Sequence, residues 1–265
     1  MSHEETPVGR VQALYRYPVK STAGQALRTA SVTVEGLRHD RQWAAYGDDG
    51  GIASGKRTRR FRPVIGLMGW GSRAEGDDDV PVLISPESVE YRVDDPAASE
   101  ALTAAFGQRL KLLPESTIQH HDESPLHLLT TSSLAAVEGL VGAAIDHRRF
   151  RANIIVDTGV EPKFLEDDWI GAELAVGSEV VLHVGSAMPR CVMVDQAQAG
   201  VAADPKILRS LGAHHGMELG VQARAGCIGT LRVGDVVILR RAVACWAKVR
   251  RIPTLRAWMH AATPT

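Results

Sequence analysis

Cys191 is the residue with the clearest capacity for chemistry, because it directly follows Arg190 in the run from Met188 to Asp195. A neighbouring guanidinium favours the thiolate, which is the form that attacks electrophiles or binds a soft metal. Cys191 is therefore a candidate nucleophile or metal ligand. The alternative is a small apolar residue of the core, since free cysteine is among the most buried residue types. The segment alone favours that alternative, so the choice depends on the surrounding chain.

Three further groups of basic and polar residues could hold an anion. The run from Lys56 to Arg62 has five basic residues in seven, and forked guanidinium groups bind phosphate well. Lys20 and Ser21 form a donor pair on a predicted turn, and Arg151 and Asn153 would point to the same side of a predicted strand. A solvated turn or a polar strand face explains each group about equally well. These groups are candidate walls of a site for an anionic ligand.

Length and composition limit the class of protein that carries these residues. The chain has 265 residues, of which 45% are apolar, so it can hold one large or two modest domains with a packed core. Its 30 basic and 31 acidic residues nearly cancel, which gives no overall field suited to nucleic acid. No apolar run approaches the roughly 18 residues of a membrane span. We therefore predict a globular protein without a transmembrane segment.

The cysteines and histidines argue against a disulfide framework and against a zinc site. Cys191, Cys227 and Cys245 are an odd number without a paired spacing, which predicts a reducing environment and a cytoplasmic protein. Cys227 and Cys245 have no supporting charge pattern and are assigned to packing. His120 and His121 are adjacent and would not easily both face one metal from a strand. The chain also lacks the cysteine spacings of an iron–sulfur cluster.

The elements that must position the reactive residues are mostly strands. Aspartate and threonine caps with following glycines predict three helices, after Asp95 to Gly107, from Thr131 to about Leu140, and after Asp204 to Gly212. Short branched and aromatic runs predict strands at Val11–Tyr15, Ala30–Val34, Trp43–Tyr46, Val64–Trp70, Val82–Ile84, Val89–Val93, Leu110–Leu113, Ile154–Val156, Glu173–Val184 (a pair), Leu219–Ala223 and Val236–Leu239. We therefore predict a mainly β fold with short helices (α+β), closed into barrels that hide strand edges.

Together these segments have a recognisable order. The chain resembles the MOSC family, named for the C-terminal domain of molybdenum cofactor sulfurase, and within it the longer members of the mitochondrial amidoxime-reducing component and YcbX-like type. The matching segments are Tyr17–Ser21, Gly36–Leu37, Asp40–Trp43, the basic run at Lys56, Asp122–Pro125, Phe150–Ile154, Glu166–Trp169, Pro189–Cys191, Gly229–Thr230 and Val233–Asp235. Each segment alone is weak, but their shared order over most of the chain is specific.

The resemblance implies an N-terminal MOSC-type β-barrel domain at 8–115 and a MOSC β-barrel domain at 116–240. The spacing of apolar residues among basic ones predicts a basic amphipathic tail at 241–265. The resemblance also implies a molybdenum cofactor (Mo-molybdopterin) between the two domains. Cys191 would be the protein ligand to molybdenum, in agreement with soft thiolate chemistry. The phosphate and the pterin of the cofactor would be held by polar side chains from both domains, namely Lys20, Ser21, Arg41, Asp122, Ser124, Arg151, Asn153 and Arg190.

The reaction implied by the resemblance removes oxygen from N-hydroxylated or N-oxide compounds, such as amidoximes and hydroxylamines, and consumes two electrons together with protons. Asp195 or a water could relay a proton, although an aspartate after a strand is more often a turn or cap residue. The electrons would come from a separate ferredoxin-like or cytochrome-like protein. The basic tail is then either a dock for that acidic partner or a helix packed on the barrel.

Two other functions remain open. In a non-catalytic cofactor carrier or sulfur-transfer module, Cys191 would carry a persulfide or pass the cofactor onward. In a thiol-dependent transferase it would act without molybdenum.

The chain also departs from the family in segments that would contact the substrate. The run from Val192 to Gly200 lacks a threonine-rich stretch that the reductases carry, and Gln222 stands at the position of a tyrosine.

Overall fold

A computed structural model describes residues 3–76 and 79–242. Residues 243–265, with Cys245 and nearly all of the predicted tail, lie outside this range. The helices are α1 (Pro96–Phe106), α2 (Thr131–Val141) and α3 (Ile207–His214). The strands are β1 (His3–Arg16), β2 (Gln25–Leu27), β3 (Thr29–Thr33), β4 (Gly36–Leu37), β5 (Trp43–Gly47), β6 (Ile52–Ser54), β7 (Phe61–Pro63), β8 (Gly71–Arg73), β9 (Val82–Ile84), β10 (Glu90–Arg92), β11 (Leu110–Pro114), β12 (Leu126–Thr130), β13 (Ile154–Asp157), β14 (Glu173–Val176), β15 (Val180–Pro189), β16 (Glu218–Cys227), β17 (Gly229–Arg232) and β18 (Val236–Ala242). The mainly β prediction is confirmed.

Seven strands close into a barrel in the order β13-β12-β16-β15-β14-β18-β1. Closure depends on β1, which pairs antiparallel with β18 over its first half and with β13 further along. The register shifts beside Gly9, where a Cβ atom would lie 2.1 Å from the carbonyl oxygen of Asp157 in β13. Glycine at this bulge therefore lets one strand serve two neighbours.

Alternating apolar side chains fill the barrel. In β15, the buried residues Val180 and Leu182 alternate with more exposed ones and pack in the same core as Trp169, which is 1% exposed. Leu14 and Val32, from the start of the chain, belong to this core as well. Because β1 is a barrel strand and β3 pairs with β17, the predicted segment 8–115 contributes to the barrel lobe. It also forms the second lobe, which packs beside the barrel. The domain bounds 8–115 and 116–240 stay a prediction.

The second lobe combines two small sheets, β10-β9-β8 and β11-β5-β6-β7, with helix α1. Asp95 begins this helix by accepting a hydrogen bond from the backbone N–H of Ala97. Buried Leu102 of the helix then packs with Leu67 and Leu83 in one core cluster. Within the described parts of the chain, no helix is long and apolar enough to cross a bilayer.

Two predicted elements differ from the structure. The run Val64–Trp70 was predicted as a strand but contains a 3-10 helix, Leu67–Gly69, entered through Gly66 in a left-handed conformation with φ 94°. An apolar run of this length does not distinguish a strand from a buried helical turn. Helix α3 continues past Gly212, the glycine predicted to end it, to His214.

Candidate functional site

A cleft between the barrel and the second lobe brings together residues that are distant in sequence. It encloses about 870 Å³, including its open mouth. The lining side chains lie in the turn after β1, in the segments before β5, β7, β12 and β13, in β12 itself, and at and after the end of β15. They include all nine residues assigned to the cofactor or the metal, namely Lys20, Ser21, Arg41, Asp122, Ser124, Arg151, Asn153, Arg190 and Cys191.

Half-buried Cys191 lies between the end of β15 and a 3-10 helix, Val192–Asp195. The neighbouring Arg190 is held by its backbone N–H, which donates to the carbonyl oxygen of Met217 (2.7 Å), and by Nη2, which donates to that of Phe150 (2.7 Å). Burial lowers the pKa of Arg190 to about 10, and negative charge at Cys191 opposes this shift. The guanidinium stays charged at neutral pH, so the thiol has a fixed cation beside it.

Three of the cleft residues have a left-handed backbone, which is uncommon for residues other than glycine. The φ angle is 64° at Ser21, 58° at Arg41 and 55° at Arg151. Such conformations cost about 1–3 kcal/mol each and cluster at functional sites. Arg151 ends the 3-10 helix His147–Phe150 instead of lying on a strand, so the predicted strand geometry with Asn153 is wrong. Both side chains nevertheless line the cleft.

Two polar cleft residues are bonded to the backbone of the barrel. Asn153 accepts from the N–H of His127 through Oδ1 (3.1 Å) and donates through Nδ2 to the carbonyl oxygen of Tyr15 (3.2 Å). Ser124 Oγ donates to the carbonyl oxygen of Ala223 (2.8 Å). These side chains fix the shape of the wall, which leaves the cations as its strongest donors to a ligand.

Asp122 joins two lysines at the mouth of the cleft. Lys20 Nζ contacts its Oδ1 and donates to the carbonyl oxygen of His120 (2.6 Å), and Lys56 Nζ lies 2.5 Å from Oδ2. Burial lowers the pKa of Lys20 to about 8, although Asp122 opposes this shift. Burial alone would raise the pKa of Asp122, but the two lysines outweigh it and the net pKa is lowered. At neutral pH the cluster therefore carries one net positive charge.

Three buried histidines surround the cleft as neutral rings. Burial lowers the pKa of His121 to about 4 and that of His127 well below its ordinary value. Both line the cleft and were missed, since His121 was considered only for zinc and His127 stands in an apolar strand. Behind the wall, the ring nitrogens of His120 lie 2.8 Å from the carbonyl oxygen of Arg41 and 2.8 Å from the hydroxyl of Tyr46. Burial also lowers its pKa to about 4.

The segment after Cys191 is anchored on both lobes. On the barrel side, Arg149 Nη1 donates to the carbonyl oxygen of Val194 (3.3 Å). On the other side, Gln196 Nε2 donates to the carbonyl oxygen of Gly55 (2.5 Å). Arg149 was not singled out in the sequence, although it belongs to the basic stretch before β13. These contacts fix the position of the thiol between the lobes.

Asp195 lies outside the lining of the cleft. Its Oδ1 accepts from the backbone N–H of Leu208 in α3 (2.9 Å), and its carbonyl oxygen accepts from the N–H of Asp204 (2.8 Å). The carboxylate thus accepts a hydrogen bond from the first turn of helix α3. This contact corresponds to the cap role, which is the alternative to a proton relay. The role of Asp195 as a proton relay stays a prediction, and this geometry favours the capping role.

Sequence reasoning predicts the surroundings of the basic run, Cys227 and Gln222 only in part. In the basic run, Lys56 lines the cleft, whereas Arg57 and Arg59 are exposed. Cys227 was assigned to packing, but it lies exposed at the end of β16. Gln222, at the position of the family tyrosine, donates to a backbone carbonyl oxygen of β15 (3.1 Å).

The donor set of the cleft fits a ligand that carries a phosphate and a polar ring system. Two guanidinium nitrogens, Arg151 Nη2 and Arg190 Nε, are buried without a hydrogen-bond partner in the described structure. Buried N–H groups of this kind are costly, and phosphate oxygens would satisfy them. Two acidic side chains line the cleft against six basic ones, which are Lys20, Arg41, Lys56, Arg149, Arg151 and Arg190.

Two protein-family models match consecutive parts of the chain. Residues 8–83 match the MOSC N-terminal beta barrel domain, and residues 115–238 match the MOSC domain. The order of the two domains agrees with the order predicted from the sequence.

The chain is also similar to two curated relatives and, in fold, to one solved structure. The chain is 25% identical over 283 residues to human mitochondrial amidoxime reducing component 2, which covers 87% of this chain and 83% of the relative. It is 27% identical to the bovine protein of the same name, with the same coverage. A crystal structure of the YUAD protein from Bacillus subtilis is similar in fold, with a TM-score of 0.52, 11% identity and coverage of 91% of this chain and 100% of that one.

Proposed function

Because this chain belongs to the MOSC family, with the N-terminal barrel domain followed by the MOSC domain, we propose that its cleft binds a molybdenum cofactor. We propose further that the protein is an oxidoreductase that reduces N-hydroxylated or N-oxide compounds. The names of its relatives, amidoxime reducing components, support this substrate class. The cytoplasmic location of the protein stays a prediction.

One observation carries the proposal. Cys191 lies in a cleft with six basic side chains, two of which have buried N–H groups without partners. A thiolate is a ligand that suits a soft metal centre, and fixed guanidinium groups are preferred holders of phosphate. One cleft thus offers the two kinds of group that a metal-bearing, phosphorylated pterin requires.

The residues of the cleft divide the work of holding that cofactor. Cys191 would provide the protein ligand to the metal, and the cationic Arg190 lies next to it in the chain. Lys20, Arg41 and Arg151 would bind the phosphate, while the polar wall would orient the pterin. The lobe-to-lobe hydrogen bonds after the thiol hold its sulfur in place.

When bound, the molybdenum centre supplies two-electron oxygen removal, by which R–NHOH, two electrons and two protons become R–NH2 and water. The open mouth would admit the substrate and a water that could relay a proton, while the relay role of Asp195 stays a prediction. The electrons would come from a separate ferredoxin-like or cytochrome-like protein. The predicted docking role of the tail concerns residues outside the described range.

The proposal is tested on the purified protein in two steps. Native mass spectrometry and metal analysis should find about one molybdenum and one pterin per chain. The loaded protein, given a small chemical reductant, should then convert benzamidoxime to benzamidine. Absence of molybdenum and pterin from protein produced in cells that make the cofactor would overturn the proposal.

The same two steps separate the alternatives. A cofactor carrier or sulfur-transfer module would contain the pterin, or a persulfide on Cys191, but would leave benzamidoxime unchanged. A thiol-dependent transferase would contain neither molybdenum nor pterin. The reductase is the outcome that gives both cofactor and product.

A further inference from the structure

Tyr17 lies beneath two of the cleft cations. Its side chain is 2% exposed, and the ring centroid lies 4.2 Å from the guanidinium carbon of Arg151 and 4.7 Å from that of Arg41. Both distances are within the range of a cation–π contact, which is strongest where water is excluded. One aromatic ring thus contacts two guanidinium groups that line the cleft.

The backbone of Tyr17 and the close packing around its side chain fix the ring in this place. Its N–H donates to Asp40 Oδ1 (2.7 Å), and its carbonyl oxygen accepts from the N–H of Arg41 (2.8 Å). Its hydroxyl donates weakly to the carbonyl oxygen of Ala152 (3.4 Å). A Cβ atom at Gly24 would lie 2.5 Å from Cε1 of the ring, so the chain packs closely around it.

The two guanidinium groups are also tied to each other and to their surroundings. Arg41 pairs with Asp40 through Nη1 and donates through Nη2 to the carbonyl oxygen of Arg151 (3.2 Å). Arg151 donates through Nη1 to the carbonyl oxygen of Thr22 (2.8 Å), while its buried Nη2 has no partner. These hydrogen bonds therefore orient both guanidinium groups, and Nη2 of Arg151 remains able to donate to a ligand.

Two like charges held this closely repel each other, and Arg151 has no carboxylate among its hydrogen-bond partners in the described structure. The negative face of an aromatic ring offsets that repulsion without supplying an acceptor that would occupy the N–H groups. A carboxylate in the same place would compete with an incoming anion. A tyrosine ring therefore suits a site that must remain able to bind phosphate.

We propose that Tyr17 is a positioning residue, whose ring contacts both Arg41 and Arg151 and holds them in place so that both can bind one phosphate group. The proposal rests on the proposed function for the identity of the ligand, a phosphorylated pterin. It concerns the ring and not the hydroxyl. Tyr17 itself need not touch the ligand.

The test measures binding of inorganic phosphate to the metal-free chain by calorimetry, and pterin retention by native mass spectrometry. Tyr17→Leu should bind phosphate about tenfold more weakly than the wild type and lose pterin on dialysis. Tyr17→Phe keeps the ring and should match the wild type in both measurements. Tyr15→Leu, which removes a ring paired with His147 at 5.4 Å, is the matched control and should retain phosphate binding.

The outcomes separate this inference from the proposed function. Wild-type phosphate affinity in Tyr17→Leu, or an equal loss in Tyr17→Phe, would overturn the role of the ring while leaving the cofactor proposal intact. Ring-dependent phosphate binding without any pterin in the wild type would retain the inference and reject the cofactor. If the wild type binds neither phosphate nor pterin, both are wrong. Circular dichroism of each variant establishes that it is folded.

Discussion

Among single residues, Cys191 has the most direct consequence for function. Replacing it by serine removes the soft ligand while leaving the neighbouring Arg190 in place. Molybdenum content should fall below about a tenth of the wild-type value, since changes even to outer residues of metal sites cost 10–100-fold in affinity. The measurement is metal analysis of protein purified without reductant.

Exposed Cys227 provides the matched control for that substitution. Cys227→Ser removes a thiol outside the cleft lining and should retain full metal content. Retention of all molybdenum by Cys191→Ser would contradict the assignment of the ligand.

His120 makes the stability of the protein depend on pH. Burial lowers its pKa from 6.5 to about 4, whereas the unfolded chain has a pKa near 6.5. The unfolded state binds more protons between these values, so the contribution to stability is complete above pH 6.5 and is lost as pH falls towards 4. His120→Gln should reduce the loss in the free energy of unfolding between neutral and acidic pH by up to about 3 kcal/mol.

Urea unfolding at pH 7 and pH 4.5 measures the change. The wild type should also lose stability through His121 and His127, because their pKa values are lowered in the same direction. The exposed residue His214 is the control, and His214→Gln should keep the wild-type slope. Parallel slopes for the wild type and His120→Gln would contradict the prediction.

At the scale of elements, the bulge in β1 determines whether the barrel can close. Gly9→Ala places a Cβ atom 2.1 Å from a backbone oxygen of β13, which side-chain rotation cannot relieve. We expect a loss of about 3 kcal/mol in the free energy of unfolding, measured by urea titration. In contrast, Gly139→Ala on α2, with no atom within 4 Å of the added Cβ, should stabilise the protein by about 0.5–1 kcal/mol. A neutral Gly9→Ala would show that β1 tolerates displacement.

The elements also show which features sequence reasoning can reach. Helix α1 could be predicted because Asp95 caps it with a local hydrogen bond. Such a cap depends only on residues that are close together in the sequence. The polar first half of β1 could not be predicted, since its pairing with β18 depends on a strand from the other end of the described chain. The run Val64–Trp70 was misassigned because burial, and not periodicity, gives it apolar character.

The site divides in the same way. Nine of the lining residues could be predicted because they belong to segments that match a family in order. The left-handed turn at Arg151, the anchoring by Arg149 and the neutral ring of His127 could not. Each depends on tertiary neighbours, which neither residue type nor spacing specifies.

For the whole molecule, both lobes contribute side chains to the lining of the cleft. A cofactor bound there should therefore stabilise the association of the two lobes. A ligand present at about 1,000 times its dissociation constant stabilises the folded state by about 4 kcal/mol. Scanning calorimetry should therefore give a higher unfolding temperature for the loaded protein than for the protein stripped of pterin. Equal temperatures would contradict tight binding of the cofactor by the folded protein. Inorganic phosphate added to the stripped protein should recover part of the difference.

The pairing of β1 with β18 has a consequence for biosynthesis. A chain emerging from the ribosome exposes its first strand long before the last one is translated, and contacts between such distant segments form slowly. The barrel can therefore be completed only after nearly all of the described chain has been released. Insertion of the proposed pterin would then follow translation of nearly all of the described chain, because the barrel wall of the cleft is complete only after β1 has paired with β18.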